Sequence, residues 1–506
     1  VENLDSFFEP TFAEKLQAIQ RQQNAKSPKK PKPVPLPLVE SANQEALPVS
    51  FVSDQFTDMR LASAFAGMFR DVLRYWPETK KWLIFDGHRW TTDAPGGAFP
   101  FVREMIESLY RRAQECEYAQ RADMLKAILK LEDHPRQGTI LSAAQVRPEL
   151  IITAAGLDRH SMLLTVGNGT IELETGELRP SRADDLLTRM SPIEYDPGAK
   201  CPLFLAFLSQ IFDGNQAIID YLQRFFGYCL TGKTGEQILL FFYGLGCNGK
   251  SVLANILGAL LGDYASTAGS DLLMSRDNRG STNDVAALRG SRLVKVSEFD
   301  DNEKLAEAQI KTLTGGDQVT CRFLYCESFT YVPTYKLLLI GNHKPKVRST
   351  DHGIWRRIHL LNFGVTIPEG ERDPYLQDKL LQELPGILAW AVQGCLNWQA
   401  KGLAAPVEIL AATDEYRQSE NVFAQWLDDI CARGNEFLTP ASDLLASFIE
   451  YSKWRSTTPK KMGQMLLGAG FVSEKSGGII KWRGLTLPQA SNNRHWTEKE
   501  AETMPF

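Results

Sequence analysis

The chain has 506 residues, of which 43% are hydrophobic and 23% charged, with a formal net charge of −5. That length predicts two to four domains, and that composition excludes fibrous, collagen-like and wholly disordered classes. A net acidic chain is not one coated in nucleic acid, yet residues 451–483 carry seven Lys or Arg against one acid, Glu474, so a basic end is concealed by the average.

Residues 1–50 open with a short amphipathic piece and pass into "NAKSPKKPKPVPLPLVE". A Pro/Lys stretch of this kind cannot bury a core and predicts a flexible linker; the alternative for its lysines is nucleic-acid contact or nuclear import. Over 51–201 the pattern is mixed. "LASAFAGMFRDVLRYW" has helical spacing, "KKWLIFDGHRWTTD" alternates and turns at Asp86-Gly87 like a hairpin, and "SMLLTVGNGTIELETGELRP" reads as short strands joined by glycine turns. This predicts a mixed α+β accessory domain in which Trp82 and Trp90 pack a core rather than stack bases. Two helices are expected over 202–231. From 237 to 364 strand and helix alternate, the signature of an α/β unit with a parallel sheet, within a 202–400 domain. Over 401–486 helices are followed by two strands meeting at Ser476-Gly477-Gly478, the order of a winged helix, and 487–506 is a polar tail.

The longest apolar runs, 237–244 and 335–341, are too short to cross a bilayer, and no charged-then-apolar leader opens the chain. The eight cysteines include no CxxC pair. Together these predict a cytoplasmic, non-secreted protein in a reducing interior, without membrane partners, disulfide framework or structural zinc.

The densest chemistry begins in "FFYGLGCNGKSVLANILGALLGD", residues 241–263. Gly244, four residues, then Gly249-Lys250-Ser251 is the spacing of a phosphate-binding loop. Gly244, Gly246, Asn248 and Gly249 shape a turn whose backbone N–H groups face a phosphate chain at a helix N-terminus. Lys250 is expected to neutralise the β and γ phosphates of ATP, and the Ser251 hydroxyl to bind Mg²⁺. "RLVKVSEFDD", 292–301, ends an apolar strand in acids. Glu298 is the first choice for the carboxylate near Mg²⁺ and the attacking water, with Asp300 and Asp301 in reserve; ordinary turn acids are the alternative. "YKLLLIGNHKP", 335–345, delivers Asn342 at the C-terminal end of another strand, either as a γ-phosphate and water ligand or as a strand cap. It lacks the aspartate of a guanine-reading Asn-Lys-x-Asp, which counts against a GTPase. Arg356 and Arg357 suit an arginine finger reaching a neighbouring subunit's nucleotide, the alternative being solvated or ion-paired arginines. Between the second and third motifs, 315–333 alternates as a β-hairpin. Arg322 and Tyr325 there offer charge and a stacking face for single-stranded nucleic acid; a hairpin packed for subunit contact is the alternative.

In this order and span, "GLGCNGKS", "RLVKVSE", "LTGGDQVTCRFLYCESFTYVP", "GNHKP" and "DHGIWRRI" resemble the superfamily 3 helicases, a branch of the ring-forming AAA+ ATPases. The helicase half of phage, plasmid and poxvirus-type primase-helicases is the nearest likeness, extending upstream through "KKWLIFDGHRW" and "YDPGAKCPLFLAFL" to cover about 55–485. The resemblance implies an ATP- and Mg²⁺-dependent replicative DNA helicase of a virus or mobile element. It would be a homo-hexameric ring on single-stranded and forked DNA, with Lys250, Glu298, Asn342 and Arg357 or Arg356 as catalytic residues. Residues 1–50 supply no primase domain, so priming is not carried over, and a primase domain or protein stands as a candidate partner. The rival readings are an AAA+ ATPase for DNA packaging or protein remodelling, and an ATP-assembled origin-binding scaffold.

Overall fold

The computed structural model describes residues 56–92, 97–275, 282–297, 299–300, 303–322, 328–347, 352–453, 457–476 and 479–488. The amphipathic piece and linker expected over 1–50, and the tail beyond 488, lie outside the described residues.

Helix Asp58–Phe69 presents Leu61, Phe65, Met68 and Phe69 along one buried face, at spacings of three and four residues. It packs with helices Phe99–Glu115 and His134–Ala144 around one apolar cluster. Strands Leu73–Trp76, Lys81–Phe85 and Trp90–Thr92 form an antiparallel sheet. Its second turn is the expected hairpin, because Asp86 Oδ1 accepts from the backbone N–H groups of His88 at 2.9 Å and Arg89 at 2.8 Å. Trp82 and Trp90 are buried, as core residues would be. A second antiparallel sheet holds Leu163–Val166, Gly169–Glu172 and Glu177–Arg179. Leu164, Val166 and Ile171 share a core with Phe204, Phe207 and Phe225 of the next helices, so packing runs unbroken across residue 201.

Five strands form one parallel sheet: β1 (Leu239–Tyr243), β2 (Ala265–Ala268), β3 (Leu293–Val296), β4 (Lys336–Gly341) and β5 (Ile358–Asn362). The spatial order is β5-β1-β4-β3-β2. The central strands are near-continuous apolar runs because helices cover both faces. Leu240, Phe242 and Leu338 face helices Pro202–Ile211, Gln216–Leu230 and Lys250–Leu261. Phe241, Leu337, Leu339, Val294 and Val296 face Ile310, Leu313, Trp355 and Tyr416 on the other side. Each such side chain contributes about 1.5–3 kcal/mol when fully buried.

Helix Val407–Ser419 lies along β5, where Thr413 Oγ1 accepts the Leu360 N–H at 3.0 Å, and so covers an otherwise open sheet edge. The helix therefore packs on the sheet, and a separate C-terminal core begins at Phe423. That core follows the order helix Val422–Asp429, strand Ala432–Pro440, helices Ala441–Ser452 and Pro459–Gly468, then strands Val472–Ser476 and Ile479–Thr486. The first strand, absent from the sequence reading, pairs with Ile479–Thr486 and makes a three-stranded sheet. Among the described residues no helix is long and apolar enough to cross a membrane.

Candidate functional site

The turn between β1 and helix Lys250–Leu261 sits at the C-terminal edge of the sheet, where ligands of open parallel sheets bind. Its backbone is left-handed at Gly246 (φ 115°), Cys247 (φ 48°) and Gly249 (φ 83°), with Gly249 as the residue before the helix. Gly249 is required twice over. A side chain would be strained at that φ, and its Cβ would lie 2.9 Å from Ile211 Cγ2 and 3.0 Å from Phe207 Cε2. The last turn of helix Pro202–Ile211 thus packs directly against the loop.

Lys250 is buried, and its ammonium donates to Gly244 O at 2.6 Å and Asn248 Oδ1 at 2.9 Å. Burial holds it below the ordinary lysine range, with the neighbouring Cys247 acting in the opposite sense. Asn248 is also buried, and its Nδ2 donates to Phe363 O at 3.2 Å. The Ile367 N–H donates to Cys247 O at 3.0 Å, so the segment after β5 braces the loop at two points. Asn248 is therefore placed as a brace for Lys250, a part that the spacing of the motif does not reveal. Ser251 is exposed on the first helical turn.

Strand register brings the second and third motifs to the same edge. Gly341 pairs with Tyr243, so Asn342 leaves β4 alongside Gly244, and its side chain is exposed. Val296 of β3 pairs with Leu339 of β4, so β3 also ends at that edge. The Phe299 ring packs so tightly on Gly341 that a Cβ there would lie 2.2 Å from Cζ, which fastens the turn after β3 beside Asn342. Asp300 is exposed, whereas Glu298 and Asp301 lie outside the described residues. Ser251 and Asp300, the described members of the expected set, carry a hydroxyl and a carboxylate, hard oxygen donors of the kind that suits Mg²⁺.

The family model described as "D5 N terminal like" matches residues 62–213, and the one described as "Family of unknown function (DUF5906)" matches 242–357. The second match contains every motif from Gly244 to Arg357. A protein of Acanthamoeba polyphaga mimivirus, named as a candidate helicase, is 25% identical over 394 residues, covering 70% of this chain and 41% of the relative. By these matches the chain is similar to the D5-type primase-helicases, of superfamily 3 helicase type. A Frog virus 3 protein named as a candidate helicase is 24% identical, over 52% of this chain and 29% of its own length. A protein of African swine fever virus named as a candidate primase is 28% identical, over 54% and 31%. The chain thus spans 29–41% of the length of these relatives. The apo structure of the NrS-1 C terminal region, A form, is similar at 12% identity and a TM-score of 0.47, covering 82% of this chain and 96% of that one.

The two adjacent arginines face opposite ways. Arg357 is buried, donating from Nε to Thr314 Oγ1 at 3.1 Å and from Nη1 to Gly353 O at 2.5 Å. Arg356 is exposed, and its Nη2 donates to Gln237 Oε1 at 2.7 Å. Arg356 thus presents its guanidinium at the surface, whereas Arg357 is largely buried. The expected hairpin comprises strands Val319–Cys321 and Phe329–Tyr331, paired antiparallel, with Arg322 exposed just beyond the first. Its base is anchored by Tyr331, whose hydroxyl donates to Val285 O at 2.7 Å. Tyr325 lies outside the described residues.

Sequence reasoning passed over Lys344 and Tyr416. The Lys344 ammonium lies 5.0 Å from the Tyr243 ring centroid and 5.6 Å from that of Tyr416. No spacing pattern signals either residue, because their partners lie on three separate segments.

Proposed function

We propose that the chain is an ATP-dependent replicative DNA helicase of a virus or mobile element, an AAA+ motor translocating on single-stranded DNA as a homo-hexameric ring. The observation that carries this reading is the buried Lys250 ammonium, held inside the glycine loop, with Asn342 delivered next to it by strand register. A phosphate chain entering the loop meets the backbone N–H groups of 246–249 and takes the ammonium from Gly244 O and Asn248 Oδ1. Lys250 then neutralises the β and γ phosphates. Ser251 and Glu298 would hold Mg²⁺, which supplies charge neutralisation between the phosphates when bound. Glu298 serves as the acid beside the attacking water, with Asp300 in reserve, and Asn342 holds that water against the γ phosphate. Arg356 reaches the neighbouring subunit's nucleotide. Arg322 and Tyr325 grip one DNA strand in the ring channel.

The order of elements from Val422 to Thr486 supports a winged helix that meets duplex or forked DNA. Lys460 and Lys461, exposed on the first turn of its third helix, supply positive charge. Part of the basic excess is spent internally, since Arg483 makes a two-pronged pair with Glu474 at 2.6 and 2.9 Å. The functional division follows as an accessory region over 51–201, a motor over 202–400 joined by helix Val407–Ser419, and the DNA-binding unit to 486. The motor would work in the cytoplasm of the infected or host cell.

The test is ATP turnover with and without single-stranded DNA, together with displacement of a labelled strand from a fork. The chain should hydrolyse ATP faster with DNA and release the strand. Lys250→Ala should retain its circular dichroism spectrum and lose both activities. Turnover by Lys250→Ala near the wild-type rate would refute the nucleotide site, and turnover without strand release would favour the remodelling or packaging reading.

A further inference from the structure

Tyr416 is fully buried on helix Val407–Ser419 and touches two segments that the proposed chemistry assigns to different nucleotides. Its hydroxyl donates to the carbonyl of Pro345, on the loop that carries Asn342. The Trp355 ring, immediately before Arg356, meets it edge-on with centroids 5.2 Å apart and planes at 83°. Lys344 Nζ lies over both the Tyr416 and Tyr243 rings, linking the same side chain to the last residue of β1. At the end of the helix, Glu420 Oε2 accepts the Val347 N–H at 3.0 Å, fastening the helix to the Asn342 loop a second time.

An apolar ring alone would fill this site. The hydroxyl is specified by the Pro345 carbonyl, a buried acceptor that would otherwise lose this donor. The result is one rigid side chain between the sensor loop of a subunit's own nucleotide and the arginine that serves the next. We propose that Tyr416 is a positioning residue coupling adjacent nucleotide sites of the ring, an inference that rests on the roles given above to Asn342 and Arg356. When the Asn342 loop shifts on hydrolysis, Pro345 carries the tyrosine with it, and the Trp355 ring moves Arg356 against the neighbouring nucleotide. A close-packed interior passes such a displacement on instead of absorbing it. By this route, loss of the γ phosphate at one site sets the rate at the next.

The experiment is ATP turnover by the full chain on single-stranded DNA across a wide range of ATP concentration. Wild type should be cooperative, with a Hill coefficient above one. Tyr416→Phe, which keeps the ring and removes only the hydroxyl, should bring the coefficient to about one while half-saturation shifts by no more than roughly fivefold, the low end of what coupling between sites usually carries. Trp355→Phe tests the other arm, and carries the test alone if Tyr416→Phe does not fold. Folded variants that keep the wild-type coefficient, with or without a lower melting temperature, would overturn the coupling and leave the nucleotide site standing. A wild type that turns over ATP without cooperativity would do the same. A wild type with no turnover at all would instead remove the parent reading, and the coupling with it.

Discussion

Arg357 donates to Thr314 Oγ1 and Gly353 O from a buried position, whereas Arg356 holds a surface hydrogen bond to Gln237. Their substitutions should therefore fail in different ways. Arg357→Ala strips buried acceptors of their donor and should lower unfolding stability by about 1–3 kcal/mol. Arg356→Ala should leave stability within about 0.5 kcal/mol, as exposed positions usually do. It should still bind ATP while its turnover falls by about 10³-fold or more, the scale of a missing arginine finger. Denaturant melts and ATP turnover on both variants check this together. Abolished turnover at unchanged stability in Arg357→Ala, with Arg356→Ala active, would return the finger to Arg357.

In the proposed motor the hairpin and the C-terminal unit would contribute separately to DNA binding, and the two should be separable by substitution. Arg322→Ala should leave basal ATP turnover near wild type while stimulation by single-stranded DNA and strand release both fall. In the proposed track the substitution would remove the cation that holds the strand's phosphates, leaving base stacking, worth about 1–3 kcal/mol per base, as the remaining grip. Equal stimulation in the variant would leave the hairpin as a packing element. Lys460→Glu with Lys461→Glu in the full chain should weaken fork binding and flatten its dependence on salt. The log–log slope should fall by about 0.9 for each duplex phosphate that is no longer neutralised. An unchanged slope would make the C-terminal unit a partner or assembly module. Among the elements, β1, β3, β4 and β5 were legible because strands buried on both faces must be apolar runs. Strand β2 reads "ASTA" and lies at the sheet edge, where nothing in four small residues distinguishes it from a loop. Strand Ala432–Pro440 was missed for a related reason, because all but one residue of "ARGNEFLTP" are exposed or half-buried and its register shifts between Arg433 and Leu438. The loop, Asn342 and the hairpin could be placed from spacing. The opposite burial of Arg356 and Arg357 could not, since two neighbours ahead of a strand carry no signal of which one turns inward.

At the scale of the whole molecule, the site is incomplete in one chain if Arg356 serves the neighbouring nucleotide. The glycine loop and Asn342 lie together at the C-terminal edge of the sheet, while Arg356 follows Ile354 and Trp355 and bonds Gln237, just ahead of β1's N-terminal end. An arginine at the opposite end of the strand from the loop has no short path to its own nucleotide. That separation is the physical motive for a ring in which each subunit finishes the next one's site, and it makes mixing the direct measurement. Lys250→Ala and Arg356→Ala proteins should each be inactive alone, the first lacking its loop lysine and the second its finger. Combined over a range of ratios on single-stranded DNA, they should recover part of the wild-type ATP turnover, because some interfaces then join an intact loop to an intact finger. Mixed assemblies that form, as shown by co-purification of differently tagged variants, and yet stay inactive at every ratio would contradict catalysis across subunits.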